Sequence, residues 1–278
     1  MKKLRITVLV ENVAPAGDLM AEHGLSVWIE SGHGCYLFDT GQDLALGANA
    51  PKLGITPAMA DSVILSHGHY DHTGGLHHVL GLEKCPPVYA HPDAFEPKYA
   101  CGPGRVPHDI GMPHKVKDLV KSRAEIRPVR VPTEVADGLF ITGPIPRRND
   151  YEDSGGPFFA DAECTVPDEF RDDQAVFIDT PGGVVVLLGC AHAGVVNTLE
   201  YIRELTAGSR IRAVMGGMHL LSAGPVRMDK TVAGLKDLAV QEFYPFHCTG
   251  REAVDRLYRE FPQRCFPFST GTVFTLEG

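Results

Sequence analysis

The chain has 278 residues, 44% of them hydrophobic and 22% charged, with a formal net charge of −9. That length suits one large domain or two small ones and leaves enough chain to bury a core. The acidic balance disfavours nucleic acid as a partner, because duplex binding rests on a basic surface, and no apolar run approaches the ~20 residues that span a bilayer.

The opening run Met1–Asn12 is basic and then apolar, but the apolar stretch stops at Glu11 without a small-residue cleavage site, so it reads as a first strand rather than a signal peptide. Further β-branched runs predict strands at Ser26–Glu30, Cys35–Phe38, Val63–Leu65 and Val88–Ala90. In the second half the same pattern marks Leu139–Thr142, Ala175–Asp179, Val184–Leu188, Ala213–Met215, Phe243–Phe246 and Thr272–Thr275. Helical periods cover Val195–Leu205, Thr231–Ala239 and Ala253–Phe261. Ser26–Glu30 and Cys35–Phe38 flank a four-residue turn and predict a hairpin, while other strands alternate with helices. Mixed sheets with helices outside follow, rather than a purely parallel doubly wound sheet. Two Gly- and Pro-rich stretches, 92–114 and 143–173, read as long irregular loops of the kind that serve active sites. The seven cysteines (Cys35, Cys85, Cys101, Cys164, Cys190, Cys248 and Cys265) are odd in number, scattered and without a C-x-x-C pair. They predict thiols, no disulfide framework and a cytoplasmic protein.

The strongest signal among the 13 histidines is Ser66-His67-Gly68-His69-Tyr70-Asp71-His72-Thr73-Gly74-Gly75, directly after the run Val63–Leu65. His67 and His69 lie two apart on a tight turn, and Asp71 and His72 follow at once. Three imidazoles and a carboxylate converging from six residues repel or stay unsatisfied without a cation, and they are the donors a divalent transition metal prefers.

This segment resembles the signature of the metallo-β-lactamase superfamily. The resemblance extends to Leu37-Phe38-Asp39-Thr40-Gly41, to Gly189-Cys190-Ala191-His192-Ala193-Gly194 and to Pro245-Phe246-His247-Cys248. It implies an α/β (α+β) fold: an αββα sandwich of two mixed sheets flanked by helices. All 278 residues would form one domain of two similar halves, about 1–135 and 136–278. It also implies one or two divalent ions, zinc first, with manganese or iron as alternatives. His67, His69 and His192 would hold one ion, and Asp71, His72 and His247 the other. Asp39 would orient the loop and its histidines. Where the superfamily usually places a bridging Asp, the comparable strand end here reads Gly189-Cys190, so Cys190 is either a soft ligand or a small buried residue. His219 ends another strand behind a glycine pair and is either a proton donor or substrate ligand, or a packed histidine. Glu11 and Asn12 are rim groups or turn formers. His77 and His78 fall on the helix after the loop, and His23, His33, His91, His108 and His114 default to the surface.

A narrower set, including Glu22-His23-Gly24-Leu25-Ser26, Asp172-Asp173-Gln174 and Gly216-Gly217-Met218-His219-Leu220, resembles the 7,8-dihydropterin-6-methyl-4-(β-D-ribofuranosyl)aminobenzene 5′-phosphate synthase subgroup. Two activities follow from the resemblance. One is a hydrolase that activates water on a small phosphorylated or ester-type metabolite, with Asp71 orienting the nucleophile. The other is a transferase condensing a pterin-methyl diphosphate with an aromatic co-substrate, in which Arg147, Arg148, Lys98 and Arg105 would meet phosphate. Diiron redox members carry Glu where this chain has His69, and nucleases of the fold bring extra domains, so neither class fits.

Overall fold

The computed structural model describes residues 3–15, 17–81, 85–102, 104 and 106–277. Two compact units divide the chain: Met1–Arg130 with Phe158–Asp168 and Ser269–Gly278, and Val131–Pro157 with Glu169–Phe268.

In the first unit, β1 (Lys3–Val10), β2 (Ser26–Ser31), β3 (Gly34–Phe38), β4 (Ser62–Ile64), β5 (Val88–Ala90), β8 (Ile126–Pro128) and β16 (Val273–Glu277) form one sheet. Its order is β16-β1-β2-β3-β4-β5-β8. Pairing is antiparallel from β16 to β3, including the expected β2–β3 hairpin, and parallel from β3 to β8. Trp28, Leu37, Val63 and Val88 from the strands pack with Leu46, Leu76, Leu80 and Val120 from the helices into one core. Each fully buried Leu or Val contributes about 1.5–3 kcal/mol.

Two helices here escaped the sequence reading, α1 (Leu44–Lys52) and α4 (His114–Arg123). The first has no side-chain cap of its own. Glu22 supplies one from a distance, its carboxylate accepting from the backbone N–H groups of Gln42, Asp43, Leu44 and Ala45 at 2.7–3.2 Å.

The two long loops are not structureless. Tyr99–Ala100 (β6) and His108–Asp109 (β7) from one, and Phe158–Phe159 (β11) from the other, pair in the order β11-β6-β7. A disulfide between Cys101 and Cys164 joins the same two segments. This corrects the reading of all seven cysteines as thiols. Sixty-three residues separate the pair, so no spacing motif reveals it. The other five cysteines are thiols.

The second unit has one sheet, ordered β15-β14-β13-β12-β10-β9. Its strands are β9 (Thr133–Ala136), β10 (Leu139–Ile141), β12 (Val176–Ile178), β13 (Val184–Leu188), β14 (Ile211–Gly216) and β15 (Glu242–Pro245). β9 to β13 pair antiparallel, and β13, β14 and β15 are parallel. Helices α5 (Val195–Leu205) and α6 (Pro225–Asp237) are the crossovers between the parallel strands, and α7 (Arg251–Glu260) follows β15. Leu199, Ile202, Leu235, Phe243, Leu257 and Phe261 fill the core. Among the described residues, no helix is long and apolar enough to cross a membrane.

Candidate metal centre

In both sheets the chemistry-bearing residues leave the carboxyl ends of parallel strands, where α/β sheets place their ligands. In the first unit β3 delivers Asp39 and β4 delivers the histidine loop. Asp39 is fully buried and holds a left-handed backbone (φ 56°). Its Oδ1 accepts from Ser66 N at 2.7 Å, and its Oδ2 accepts from Ser66 Oγ at 2.6 Å and from His72 Nδ1 at 2.7 Å. Ser66 Oγ, having donated to Asp39, accepts from His67 Nδ1 at 2.9 Å. With the protons on Nδ1, the lone pairs of His67 and His72 sit on Nε2, the tautomer that a metal takes.

His67 and His72 are fully buried, and His69 and Asp71 nearly so. The His67 ring lies 4.5 Å from that of His69 and 4.3 Å from that of His72, centroid to centroid. Asp71 and His72 lie within the one-turn helix α2 (Tyr70–Thr73), which Thr73 Oγ1 anchors on His69 O at 2.8 Å. Gly68 separates the first two histidines because the backbone of Pro92–Phe95 crosses there. A Cβ at Gly68 would stand 2.2 Å from Ala94 O. A buried set of three imidazoles and one carboxylate fits a divalent ion.

His23, left on the surface by the sequence reading, places Nε2 at 3.2 Å from Asp71 Oδ2. Glu11 Oε2 accepts from Val13 N at 2.6 Å and Asn12 Oδ1 from Gly24 N at 3.2 Å, so both take part in turns. Lys98, offered as a phosphate contact, is instead buried against Asp168 at 3.0 Å. Arg105 lies outside the described residues.

In the second unit β13 delivers Cys190 and His192, β14 delivers His219, and β15 delivers His247 and Cys248. His192 is fully buried, donates Nδ1–H to Ser154 O at 3.1 Å and stacks on Phe170 with ring centroids 4.0 Å apart. Its lone pair therefore also rests on Nε2. His219 lies against it, centroids 4.3 Å apart, in a space that Gly155 leaves open. Ala191, His219 and His247 have φ of 53°, 45° and 55°. Such left-handed conformations cost roughly 1–3 kcal/mol each in a non-glycine residue and concentrate at functional sites.

Ligand atoms of Cys190, His192 and His219 lie within 4.8 Å of one another, and so do those of Cys190, His247 and Cys248. Burial alone raises the Cys248 thiol, but a hydrogen bond from Cys190 and the neighbouring His247 and His219 hold it well below the ordinary cysteine range. Burial pushes the Asp173 carboxyl up to about 7, against a bond from Ala193 N at 2.7 Å.

Glu152, also missed from sequence, caps α5 by accepting from Val196 N and Asn197 N, each at 2.8 Å. Arg147 and Arg148, expected on a substrate rim, are engaged elsewhere. Arg147 donates to Glu152 O and His192 O at 3.2 and 2.8 Å, and Arg148 pairs with Glu204. The Arg147 guanidinium ties its loop to the segments of Glu152 and His192, and that of Arg148 ties it to α5, roles that a run of charge in a sequence does not disclose.

The family description "Metallo-beta-lactamase superfamily" matches residues 20–208. Over 255 residues the chain is 32% identical to the uncharacterized protein MJ0448 of Methanocaldococcus jannaschii, spanning 91% of this chain and 93% of that one. It is 29% identical over 271 residues to that organism's 7,8-dihydropterin-6-methyl-4-(beta-D-ribofuranosyl)-aminobenzene-5'-phosphate synthase, spanning 94% and 92%. Among solved structures, Tm1679, a metal-dependent hydrolase of the beta-lactamase superfamily, superposes with a TM-score of 0.85 at 33% identity. The match covers 99% of this chain and 100% of that one.

Proposed function

Because this chain belongs to the metallo-β-lactamase superfamily and has its fold, we propose that it is a metal-dependent hydrolase of a small phosphorylated or ester-type metabolite. The observation that carries this reading is the Asp39–Ser66 relay, which holds two buried histidines in the tautomer a metal requires. In the first unit His67, His69, Asp71 and His72 would be the residues that hold divalent metal, and in the second His192 and His247, with zinc as the first choice. A divalent ion held there would supply Lewis acidity toward a carbonyl or phosphoryl oxygen and toward water.

The chain's own groups do the rest. Asp71 is an acceptor for the proton of the attacking water, and His23, 3.2 Å from its Oδ2, fixes the direction of that carboxylate. His219 donates a proton to the leaving group. Metal analysis of the purified protein, followed by a panel of phosphodiester, lactone and pterin-diphosphate substrates in ¹⁸O water, tests the proposal. Label in the product supports a hydrolase. Asp71→Asn should lower turnover about 10²–10³-fold, and full turnover at full metal occupancy would refute the role of Asp71.

A second reading is a transferase that joins a pterin-methyl diphosphate to an aromatic ring carbon, the methyl C–O bond breaking as the C–C bond forms, with loss of diphosphate and of the ring carbon's proton. It draws support from the 29% identical synthase and from the lack of a carboxylate at Gly189-Cys190, which matters less if water is not the nucleophile. Turnover that requires both substrates and incorporates no label selects it. A cytoplasmic location is part of either reading. The five thiols support it and the Cys101–Cys164 bond argues against it; thiol labelling of the freshly isolated protein decides.

A further inference from the structure

The second unit offers more donor atoms than the proposed function uses. At the ends of β13 and β15, one ligand atom from each of Cys190, His247 and Cys248 lies within 4.8 Å of the others. Cys190 and His247 are buried, with 3% and 7% of their surfaces exposed. The backbone leaves room for the sulfur of Cys248, since a Cβ at Gly217 would stand 2.4 Å from Cys248 Sγ. The same Cβ would stand 2.5 Å from Gly189 O, a second reason for a glycine there. Two sulfurs and an imidazole, brought by two strands to one enclosed point, are a soft donor set. Thiolate with imidazole suits zinc, while manganese and magnesium prefer carboxylate, carbonyl and water oxygen.

We propose that Cys190 and Cys248, together with His247, are ligands of a divalent ion, so that the ion held by this unit sits in a thiolate–imidazole site selective for zinc over manganese and magnesium. The inference rests on the reading that the chain holds divalent metal at all. Both sulfurs bind as thiolates, any thiol proton still present passing to solvent, with no change of oxidation state.

The test uses the full chain, stripped of metal without reductant and reloaded with cobalt(II) or zinc. Cobalt should produce a near-ultraviolet thiolate-to-metal charge-transfer band that is lost in the Cys190→Ser/Cys248→Ser double variant. Zinc should protect Cys190 and Cys248 from iodoacetamide in peptide mapping, while labelling of Cys35 and Cys85 stays the same with and without it. Zinc affinity of Cys248→Ser should fall by more than about 100-fold, beyond the 10–100-fold lost when a residue behind a ligand is replaced, while manganese affinity changes little. If the variants fail to fold, the band and the protection pattern in the unaltered protein carry the test by themselves. Cobalt that binds without the band, with both cysteines still labelled under zinc, overturns the thiolate assignment and leaves the metal-enzyme reading standing. No binding of either metal overturns both.

Discussion

Asp39→Asn isolates the relay behind the histidine loop. The fully buried carboxylate accepts three hydrogen bonds, from Ser66 N, Ser66 Oγ and His72 Nδ1 at 2.6–2.7 Å. Asparagine keeps the shape but offers one acceptor oxygen and an amide NH₂ that can only donate. With the oxygen kept toward Ser66 N, the NH₂ faces Ser66 Oγ and His72 Nδ1. Ser66 must then turn its hydroxyl proton toward His67 Nδ1, and His72 Nδ1 must become an acceptor. Both imidazoles are driven to the tautomer with a proton on Nε2, the atom that a metal needs. Replacing a group behind one ligand costs 10–100-fold in metal affinity, or ~1.4–2.7 kcal/mol. Two of the proposed ligands are affected here, so the upper end applies. Competition against a chromophoric zinc chelator measures the loss, and urea unfolding of the metal-free protein serves as the control. Asp39→Ala should differ in that control, because Ser66 N–H is then buried without an acceptor, costing about 1–3 kcal/mol. Unchanged zinc affinity in Asp39→Asn would refute the tautomer argument.

Gly68→Ala puts a methyl 2.2 Å from Ala94 O, so one backbone must move. A loss of about 1–3 kcal/mol in unfolding free energy, with lower metal occupancy, is expected from denaturation and metal analysis. The Asp173 carboxyl, raised to about 7 in the folded state, stays protonated where the unfolded chain ionises. The native state therefore binds more protons, and the stability of metal-free protein should fall between about pH 4 and pH 7, by at most about 4 kcal/mol. Asp173→Asn should flatten that slope, and an equally steep slope in the variant would assign the effect to another group. Opening the Cys101–Cys164 bond, which spans 63 residues, should cost up to about 4 kcal/mol in the chain-entropy account. Thermal unfolding of Cys101→Ser should show the drop, and dithiothreitol should then have little further effect on that variant.

What could be read in the sequence was set by how locally each feature is encoded. The loop from Ser66 to Gly75 is visible because four donors fall within six residues behind one β-branched strand. Most strands of both sheets are visible for the same reason, as in Val184–Leu188, where all five residues are buried, whereas the edge strands β8 and β9, with no fully buried residue, show no such run. Helix α1 was hidden because Gly47 and Pro51 lie inside Leu44–Lys52, and its N-terminal cap, Glu22, stands 22 residues before its first residue. In α4 only Val116 and Val120 are buried, too few for a helical period to stand out. The two-residue strands β6, β7 and β11 carry no pattern of their own, and the disulfide that accompanies them joins segments 63 residues apart.

The second unit's donors illustrate the same limit from the functional side. Each parallel strand of that sheet contributes one short segment at its carboxyl end, so Cys190, His219 and Cys248 are separated in sequence by a helix apiece. A single strand end shows only a histidine or a thiol, which on its own reads as packing. What distinguishes these positions is conformational. Among the described residues, nine other than glycine have positive φ, and four of them, Asp39, Ala191, His219 and His247, stand at strand ends that deliver site residues. Glycine would relieve the strain at each, but at Asp39, His219 and His247 it would also delete the carboxylate or imidazole. At roughly 1–3 kcal/mol per residue the four together cost an appreciable part of a typical folding free energy of 5–15 kcal/mol. A chain under selection for stability alone would lose that strain by single substitutions. Its persistence where the side chains converge is the physical reason to assign these strand ends to function rather than to packing.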